Sequence, residues 1–306
     1  MVYSMQKTKW ITWLEFVPLA ALLPLIFLIP YPAGLMMGSQ LGNLLYWLMP
    51  NYRKIARVNL SIAFGTNLND SDAAACIKSV FGNTLQTFFE FIRLFRMSRE
   101  EVIRYTLPPT GYDDYQAAVA MGRGVIVVSF HLGNWYWPVI CAAMEGYKVN
   151  VIVRPLDNSL LDRLMNRAFE RWGIRVIPRG RSAAASLAAL RRGETLALMV
   201  DTNAQIDGRF APFFGVPAST LQGLIRFRRG TGAEVMAVHS LRLGSKHQVH
   251  MQWLQSLPED DDEALRAVHK HFEGIIRDHK SAYFWLHPRW KRRPPGEPNL
   301  YPGLKV

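Results

Sequence analysis

The spacing of apolar and polar residues divides the chain into an apolar N-terminal part and a longer part in which strand-like and helix-like segments alternate. No residue between Phe16 and Tyr52 is charged. Since about 20 apolar residues span a bilayer as a helix, this stretch predicts one membrane span, or a span followed by an interfacial segment. The alternative is a buried helical hairpin of a soluble protein. A cleaved signal peptide is disfavoured because Pro24, Pro30 and Pro32 interrupt the run.

In the part that follows, strand-like and helix-like segments alternate as they do in α/β proteins. Apolar residues recur at helical spacing over 53–64 and 70–97, which predicts two helices. Beyond residue 115, the predicted strands are 124–130, 149–153, 174–178, 195–200, 234–243, 247–255 and 282–287, and the predicted helices are 134–145, 159–173, 182–193, 219–232 and 260–280. This alternation predicts an α/β fold with a mixed, largely parallel sheet covered by helices. We therefore divide the chain into a membrane anchor at 1–52, which opens with a short basic lead at 1–9, and an α/β domain at 53–306.

Polar residues that can cap helices stand before or within the first turn of several predicted helices. Asp70, Ser71 and Asp72 are candidate N-caps of the helix at 70–97, and Ser219 or Thr220 is a candidate N-cap of the helix at 219–232. These residues mark where we expect the helices to begin.

Polar residues also follow the predicted strands. In open α/β sheets, ligands bind beyond the carboxyl ends of the strands, and the residues found there are His131, Arg154, Arg179, Asp201 and His239. His131 opens a Leu-Gly-Asn turn into a predicted helix, whose free N–H groups would suit an oxyanion or a phosphate. We predict that His131 is a general base beside cationic side chains. A histidine with a structural role is the alternative.

The charge of the chain indicates an anionic partner. The formal net charge is +12, and residues 162–192 contain eight arginines against two acids. Four more basic residues stand near the C-terminus, and they are Arg289, Lys291, Arg292 and Arg293. Anionic lipid headgroups or an acidic carrier protein fit such a surface, and nucleic acid is disfavoured beside an uncharged segment of 37 residues. A solvated basic face is the alternative.

Other chemistries find little support in the sequence. Cys76 and Cys141 form neither a disulfide framework nor a metal-binding spacing. His247 and His250 lie three apart in a predicted strand, so they point to opposite faces. The sequence also lacks the nucleophile elbow, the phosphate-binding loop, the dinucleotide fingerprint and the zinc-protease motif. We therefore expect no metal.

Seven segments, in order, carry a family resemblance. They are RKIARVNLSIAF (53–64), HLGNW (131–135), VRPLDN (153–158), RWGIRVIPRG (171–180), RRGETLALMVD (191–201), APFFGVPAST (211–220) and WLHPRWKRRP (285–294). The chain resembles the lipid A biosynthesis acyltransferases, the lauroyl and myristoyl transferases of the lysophospholipid acyltransferase superfamily.

The resemblance implies an activity and a place for it. A fatty acyl chain would move from a thioester of acyl carrier protein or coenzyme A to a hydroxyl of a membrane lipid such as a lipid A precursor. The carrier thioester would be a co-substrate, and no cofactor is implied. The catalytic domain would face the cytoplasm at a bacterial inner membrane. A histidine, here His131, would deprotonate the acceptor hydroxyl.

The site implied by the resemblance departs from the family pattern at one position. A carboxylate five residues after the histidine orients it in the family, whereas Tyr136 stands there in this sequence. Asp201, which resembles the aspartate of an Asp-Gln pair whose second member is Thr202 here, is a better spatial candidate than Glu145. The remaining candidates for substrate binding are Asn134, Tyr136, Arg154, Arg179 and Asp201.

Two of these assignments have structural alternatives. Arg154 resembles a family arginine near the histidine and would bind phosphate or brace the acceptor, unless it forms an ordinary salt bridge at the end of a strand. Phe213, Phe214 and Gly215 would belong to an acyl-chain pocket, unless they are plain packing residues.

Two alternatives to the enzyme remain open at this point. Tyr136 in place of the acid is compatible with a catalytically impaired relative that binds lipid. A glycosyltransferase-like enzyme would use the basic residues for a nucleotide-sugar, but no D-x-D-type pair supports it outside the acidic start of 260–280.

Overall fold

The computed structural model describes residues 9–180, 182–205 and 207–305, so most of the predicted basic lead at 1–9 lies outside the described residues. The apolar N-terminal part forms two helices, α1 (Lys9–Leu28) and α2 (Tyr31–Leu48), which are separated at Pro30. Among the described helices, one has the length and mean hydropathy, 2.0, to cross a membrane, and it covers Trp10–Leu28. Proline at this junction fits the break, because it lacks the N–H group that would continue the hydrogen-bond ladder of α1.

The predicted helices at 53–64 and 70–97 are confirmed as α3 (Pro50–Phe64) and α4 (Asp70–Arg93). The N-cap of α4 is Asn69, whose side chain accepts a hydrogen bond from the N–H of Asp72. The three predicted caps instead lie in the first turn, where the two aspartates face the positive end of the helix dipole.

Helix α2 lies on α4 through a stripe of glycines. A Cβ atom at Gly42 would overlap with the backbone of Gly82, and one at Gly34 would overlap with the ring of Phe89. The opposite face of α2 carries exposed apolar side chains, which are Met36, Met37, Leu41, Leu44, Trp47 and Leu48. The helix therefore packs closely on one side and presents an apolar surface on the other.

The rest of the chain builds a six-stranded sheet between helices. The elements are α5 (Arg99–Arg104), α6 (Tyr112–Ala120), β1 (Val125–Ser129), α7 (Trp137–Met144), β2 (Val149–Val153), α8 (Ser159–Arg171), β3 (Arg175–Pro178), α9 (Ser182–Arg191), β4 (Thr195–Met199), β5 (Gly208–Phe213), β6 (Val216–Leu221), α10 (Gly223–Thr231), β7 (Glu234–Leu243), β8 (Lys246–Trp253) and α11 (Asp261–Asp278). The strand order is β3-β2-β4-β1-β7-β8, and only the β7–β8 pair is antiparallel. The predicted mixed, largely parallel sheet is confirmed.

Both faces of the sheet are buried, as the continuous apolar strands predict. In β1, Ile126 and Val128 face one core with residues of α3, α10 and α11. Val125 and Val127 face a second core with residues of α6, α7 and α8. Alternate positions along β1 therefore belong to different cores, and the carboxyl ends of five parallel strands meet at one edge.

The predicted helix at 219–232 is wrong at its beginning. Ser219 and Thr220 belong to β6, which pairs with β5 in an antiparallel hairpin, and α10 begins at Gly223. The Ser219 hydroxyl donates to the carbonyl of Ala204, and the Thr220 hydroxyl accepts a hydrogen bond from Arg289. Both side chains that resemble helix caps therefore have partners elsewhere.

The predicted strand at 282–287 is also wrong. Tyr283 makes an isolated bridge to Leu132, and the segment adds no strand to the sheet. Leu132 follows β1, and β1 is already paired with β4 on one side and with β7 on the other. The segment at 282–287 therefore finds no unpaired strand edge there.

Two buried histidines and one partly buried histidine are expected to make the fold sensitive to acid. Burial lowers the pKa of His239 and His269 to about 3 and that of His287 to about 4. The unfolded chain binds a proton on each near pH 6.5, so the free energy of unfolding is retained above that pH and falls as the pH drops towards 4. Each histidine contributes about 1.4 kcal/mol per pH unit within that window.

Urea unfolding of the detergent-solubilised protein at several pH values between 7.5 and 4.5 would measure this loss. Replacing His269 by Gln removes one buried imidazole, so the slope of stability against pH is expected to fall by about one proton. Equal stability across this range in the unsubstituted protein would contradict the prediction.

Candidate active site

The structure brings four of the predicted site residues to one edge of the sheet. His131 follows β1, Arg154 follows β2, Arg179 follows β3 and Asp201 comes shortly after β4. These strands are mutually parallel, so their carboxyl ends meet at the same edge. His239 is not part of this group, because it lies within β7, is buried, and stacks on His250 with 4.8 Å between the ring centroids.

His131 and Asp201 form a hydrogen-bonded pair. The Nδ1 atom of His131 lies 2.8 Å from Oδ1 of Asp201, and the main-chain N–H of His131 donates to Oδ2 over 2.8 Å. The Asp201 side chain is 3% exposed, whereas that of His131 is 22% exposed. An Asp that accepts at Nδ1 holds the proton on that nitrogen, which leaves Nε2 as the nitrogen able to accept a proton.

The surroundings of Asp201 keep its carboxylate ionised. Burial alone would raise the pKa of Asp201, but the attraction of His131, its hydrogen bonds and the charge of Arg289 together lower it. Tyr283 packs beside this carboxylate, and burial followed by the negative charge of Asp201 raises the tyrosine pKa well above its usual range. A buried, ionised carboxylate beside an imidazole is the arrangement that stabilises an imidazolium ion.

Arg289 lies behind the site and not on the surface, so its assignment to the basic surface is wrong. Its side chain is 1% exposed, and it donates to the carbonyl of Ser219 and to the hydroxyl of Thr220. The missed signal was the surrounding sequence, in which Trp285 and Trp290, both fully buried, flank the arginine.

The Leu-Gly-Asn turn fixes the backbone of His131. Gly133 has a φ of 62°, and a Cβ atom there would overlap with the carbonyl oxygen of Ser240, so only glycine fits. The N–H of Phe284 donates to the carbonyl of His131, and the N–H of Gly133 donates to the carbonyl of Ala282. The turn is therefore held from both sides by β7 and by the segment at 282–284.

Asn134 closes this turn. Its Oδ1 atom accepts hydrogen bonds from the N–H groups of Tyr136 and Trp137, and its Nδ2 donates to Glu90. The first N–H groups of α7 are thus used by Asn134, and the expectation that they are free for an oxyanion is wrong for these two. Asn134 is buried and holds the turn together.

Tyr136 lies in an aromatic cluster. Its ring centroid is 4.2 Å from that of Phe91 and 6.1 Å from that of Phe169, and burial raises its pKa. Asp201 already occupies Nδ1 of His131, so the tyrosine is not the hydrogen-bond partner of that nitrogen. Glu145 lies exposed at the C-terminal end of α7.

An apolar cavity of about 330 Å³ opens at His131. Trp135, Tyr136 and Phe169 line it on one side and the β4 residue Ala197 on the other. The lining does not include Phe213, Phe214 or Gly215, which were candidates for the acyl-chain pocket. Phe213 is buried between Phe130 and Trp290 as a packing residue.

Arg154 and Arg179 also line this cavity. The side chain of Arg154 is 72% exposed and forms a loose ion pair of 3.6 Å with Asp157. Partial burial, followed by repulsion from Arg154, lowers the pKa of Arg179. Two guanidinium groups at one cavity favour an anion with several oxygen atoms, such as a phosphate.

A buried ionic cluster around Glu90 contacts the Leu-Gly-Asn turn through Asn134. Glu90 is fully buried and accepts hydrogen bonds from Arg242, from Tyr31 and from Asn134, and it lies 2.9 Å from Nε2 of His247. Burial alone would raise the pKa of Glu90, but Arg242 and His247 together lower it. The sequence signal was a single acid inside the apolar run TFFEFI, whose partners lie too far along the chain to be identified.

Replacing Glu90 by Leu is expected to destabilise the fold by about 3–5 kcal/mol, because Arg242 would lose its buried counter-charge. Urea unfolding monitored by tryptophan fluorescence would measure the change. Glu100→Leu is the matched control, since Glu100 is exposed at the start of α5. A loss below about 1 kcal/mol for Glu90→Leu would show that the cluster contributes little, because removal of one partner from a buried pair ordinarily costs several times more.

No group of three or more His, Cys, Asp or Glu side chains is arranged to hold a metal ion within the described residues. Cys76 and Cys141 are free thiols. Burial raises their pKa values, to about 11 and about 12, so both thiols are protonated at neutral pH.

The fold and the site define a class of protein: an α/β protein with a histidine–carboxylate pair and two cations at the mouth of an apolar cavity. The chain belongs to the bacterial lipid A biosynthesis acyltransferases, since the sequence model of that family matches residues 4–292. The family resemblance found in the seven sequence segments is confirmed.

Curated relatives agree with this family. The chain is 26% identical over 305 residues to a lipid A biosynthesis palmitoleoyltransferase of Escherichia coli (strain K12), which covers 95% of this chain and 94% of the relative. A lipid A biosynthesis acyltransferase of Shigella flexneri matches to the same extent. A lipid A biosynthesis lauroyltransferase of Escherichia coli (strain K12) is 26% identical over 298 residues, with 95% of each chain covered.

Proposed function

We propose that this protein is a membrane-bound O-acyltransferase that moves a fatty acyl chain from a thioester of acyl carrier protein or coenzyme A to a hydroxyl group of a lipid A precursor. One observation carries the proposal: His131 is hydrogen-bonded through Nδ1 to the buried Asp201 at the mouth of an apolar cavity. Membership of the lipid A acyltransferase family supports the acceptor class.

The reaction needs one proton transfer in each direction. The acceptor hydroxyl gives its proton to Nε2 of His131 while its oxygen attacks the thioester carbonyl carbon. The tetrahedral intermediate then collapses, the carbon–sulfur bond breaks, and the imidazolium returns the proton to the leaving thiolate. The products are a new ester and a free thiol, with no net change of redox state.

Asp201 makes this cycle possible in two ways. It fixes the tautomer of His131, so that Nε2 carries the lone pair, and it stabilises the imidazolium that forms during attack. Because Asp201 supplies the carboxylate, the tyrosine at position 136 is no obstacle to catalysis.

The cavity would bind the acyl donor, and its two arginines would bind the acceptor. The acyl chain of the donor would lie in the apolar cavity with its carbonyl carbon beside His131, since burial of each methylene group contributes about 0.8 kcal/mol. Arg154 and Arg179 would bind a phosphate group of the acceptor lipid and hold its hydroxyl near Nε2.

The N-terminal helices support attachment to a membrane. Helix α1 is long and apolar enough to cross a bilayer, and α2 presents an exposed apolar face. Asn158, the N-cap of α8, donates to the carbonyl of Thr12 and to Glu15, which places α1 next to the segment that carries Arg154. Exposed arginines at positions 163, 167 and 171 of α8 suit anionic lipid headgroups or an acidic carrier protein. We expect the bacterial inner membrane, with the catalytic domain facing the cytoplasm.

The test is acyl transfer by membranes that carry the protein. Labelled thioesters of acyl carrier protein and of coenzyme A would be offered with phosphorylated and dephosphorylated lipid A precursors, beside a control acyltransferase. We expect transfer to the phosphorylated acceptor and weaker transfer to the dephosphorylated one. Absence of transfer across a panel that the control enzyme uses would overturn the proposal and favour a lipid-binding protein.

A further inference from the structure

A second apolar cavity, of about 390 Å³, lies under the same helix as the first. Its lining includes Val149 and Thr195, which are the first residues of β2 and β4, so it lies towards the amino ends of the strands. The first cavity lies towards their carboxyl ends, where its lining includes Val153 and Met199. The proposed reaction does not by itself use the second cavity.

The two cavities meet in the middle of the sheet. Five residues line both, and they are Val127, Pro138, Val139, Ala197 and Val238. The valines and the alanine from β1, β4 and β7 lie on the sheet side, and Pro138 and Val139 belong to α7 opposite. All five side chains are apolar and of moderate size, and Val139 is only partly buried although its helix packs on the sheet.

We propose that the two cavities form one binding site for a long acyl chain, in which the second cavity receives the methyl end and Val139 and Ala197 control which chain lengths are accepted. This inference rests on the proposed function, because the donor thioester must lie at His131 for its chain to extend in this direction.

The dimensions and the polarity of the path fit a hydrocarbon chain. From Met199 to Thr195 the path runs beside β4 for about 13 Å, given a rise of about 3.3 Å per residue. The hydroxyl groups of Tyr115 and Thr195 at its far end lie 2.7 Å apart and satisfy each other, so neither needs a polar ligand. The combined volume of the two cavities, of about 390 Å³ and about 330 Å³, lies within the range that is typical of small-molecule binding pockets, about 300–1,000 Å³.

The far end of the second cavity also explains which lengths should be tolerated. Ile103, Pro108 and Pro109 line it, and all three are exposed. A long chain can therefore continue towards the surface and does not meet a closed wall. The width of the passage between the cavities, and not a closed far end, is therefore expected to decide how well long chains are accepted.

The experiment alters the passage between the two cavities and measures the preference for acyl-chain length. Val139→Phe and Ala197→Leu narrow the passage, whereas Val139→Ala widens it. With thioesters from octanoyl to stearoyl, Val139→Phe should lower the ratio of kcat/KM for palmitoyl over octanoyl on the order of a hundredfold, since each methylene group that is no longer buried costs about fourfold. Val139→Ala should leave the ratio unchanged or raise it. Ile140→Val, a buried neighbour on α7 that lines neither cavity, is the matched control and should keep the wild-type ratio.

A second measurement separates this inference from the proposed function. A palmitoyl thioester with a photoreactive diazirine at its methyl end would be cross-linked to the protein, and the modified peptide would be identified. We expect modification within 102–115 or at Thr195 in the wild type, and its loss in Val139→Phe. Cross-linking there without any acyl transfer would overturn the proposed function and support this site. Transfer with cross-links confined to the first cavity, or an unchanged chain-length ratio in Val139→Phe, would overturn the inference.

Discussion

Replacement of His131 by Ala is expected to lower acyl transfer by about three orders of magnitude or more, because a general base contributes about 10²–10⁴-fold and the substitution also removes the proton donor for the leaving thiolate. Its Nδ1 is held by Asp201, and the imidazole is the group that can accept the acceptor proton at the mouth of the cavity. Binding to membranes, which we propose to depend on α1 and α2, should be unaffected by the loss of this side chain.

Transfer should be measured in membranes with matched amounts of protein. His279→Ala is the control, because His279 is an exposed histidine at the end of α11. Loss of a general base is expected to lower turnover by at least about a hundredfold. A His131→Ala protein that retains more than about a tenth of wild-type turnover would therefore exclude general-base catalysis by this residue.

Replacement of Asp201 by Asn is expected to lower kcat by up to about 10⁴-fold, which is the effect of the corresponding change in a serine-protease triad. The amide keeps the size of the side chain but removes the charge that stabilises the imidazolium, and it can present a donor to Nδ1 and so favour the wrong tautomer of His131. The effect should fall on kcat more than on KM, because the carboxylate is buried behind the histidine.

Variants of Tyr136 test whether Asp201 or Tyr136 orients His131. Tyr136→Phe should keep turnover within about fivefold, because the ring packs in the cluster with Phe91 and Phe169 and loss of one hydrogen bond ordinarily costs about 1 kcal/mol. Tyr136→Glu should not activate the protein, since it would place a carboxylate among these aromatic rings. A greater loss in Tyr136→Phe than in Asp201→Asn would show that the tyrosine, and not the aspartate, orients His131.

The sheet could be predicted from the sequence because its strands are apolar runs of the right length between amphipathic helices. The segments at 219–232 and 282–287 could not, for different reasons. In the first, Ser219 and Thr220 have the composition of helix caps, although their hydroxyl groups bond to Ala204 and Arg289. In the second, an apolar run resembles a strand, but it contacts the turn at Leu132 and adds no strand to the sheet.

The site was accessible to sequence reasoning only where topology brings residues together. His131 and Asp201 are 70 residues apart, but both follow neighbouring parallel strands, so their meeting could be expected. Glu90 and Arg242 are 152 residues apart on a helix and a strand, and nothing in their local sequence pairs them. The aromatic surroundings of Tyr136 depend on Phe91 and Phe169 from two other helices, which periodicity alone does not position.

The hydrogen bonds from Asn158 to Thr12 and Glu15 have a kinetic consequence. They hold the apolar helix α1 against α8, which begins shortly after Arg154, so in the proposed membrane-bound enzyme a bilayer that embeds α1 would lie beside the entrance to the site. A lipid acceptor would then arrive by lateral diffusion in two dimensions, while a donor on a water-soluble carrier arrives in three. The reaction rate would follow the mole fraction of acceptor in the bilayer and the bulk concentration of donor, so the two substrates would obey different concentration scales at a single site.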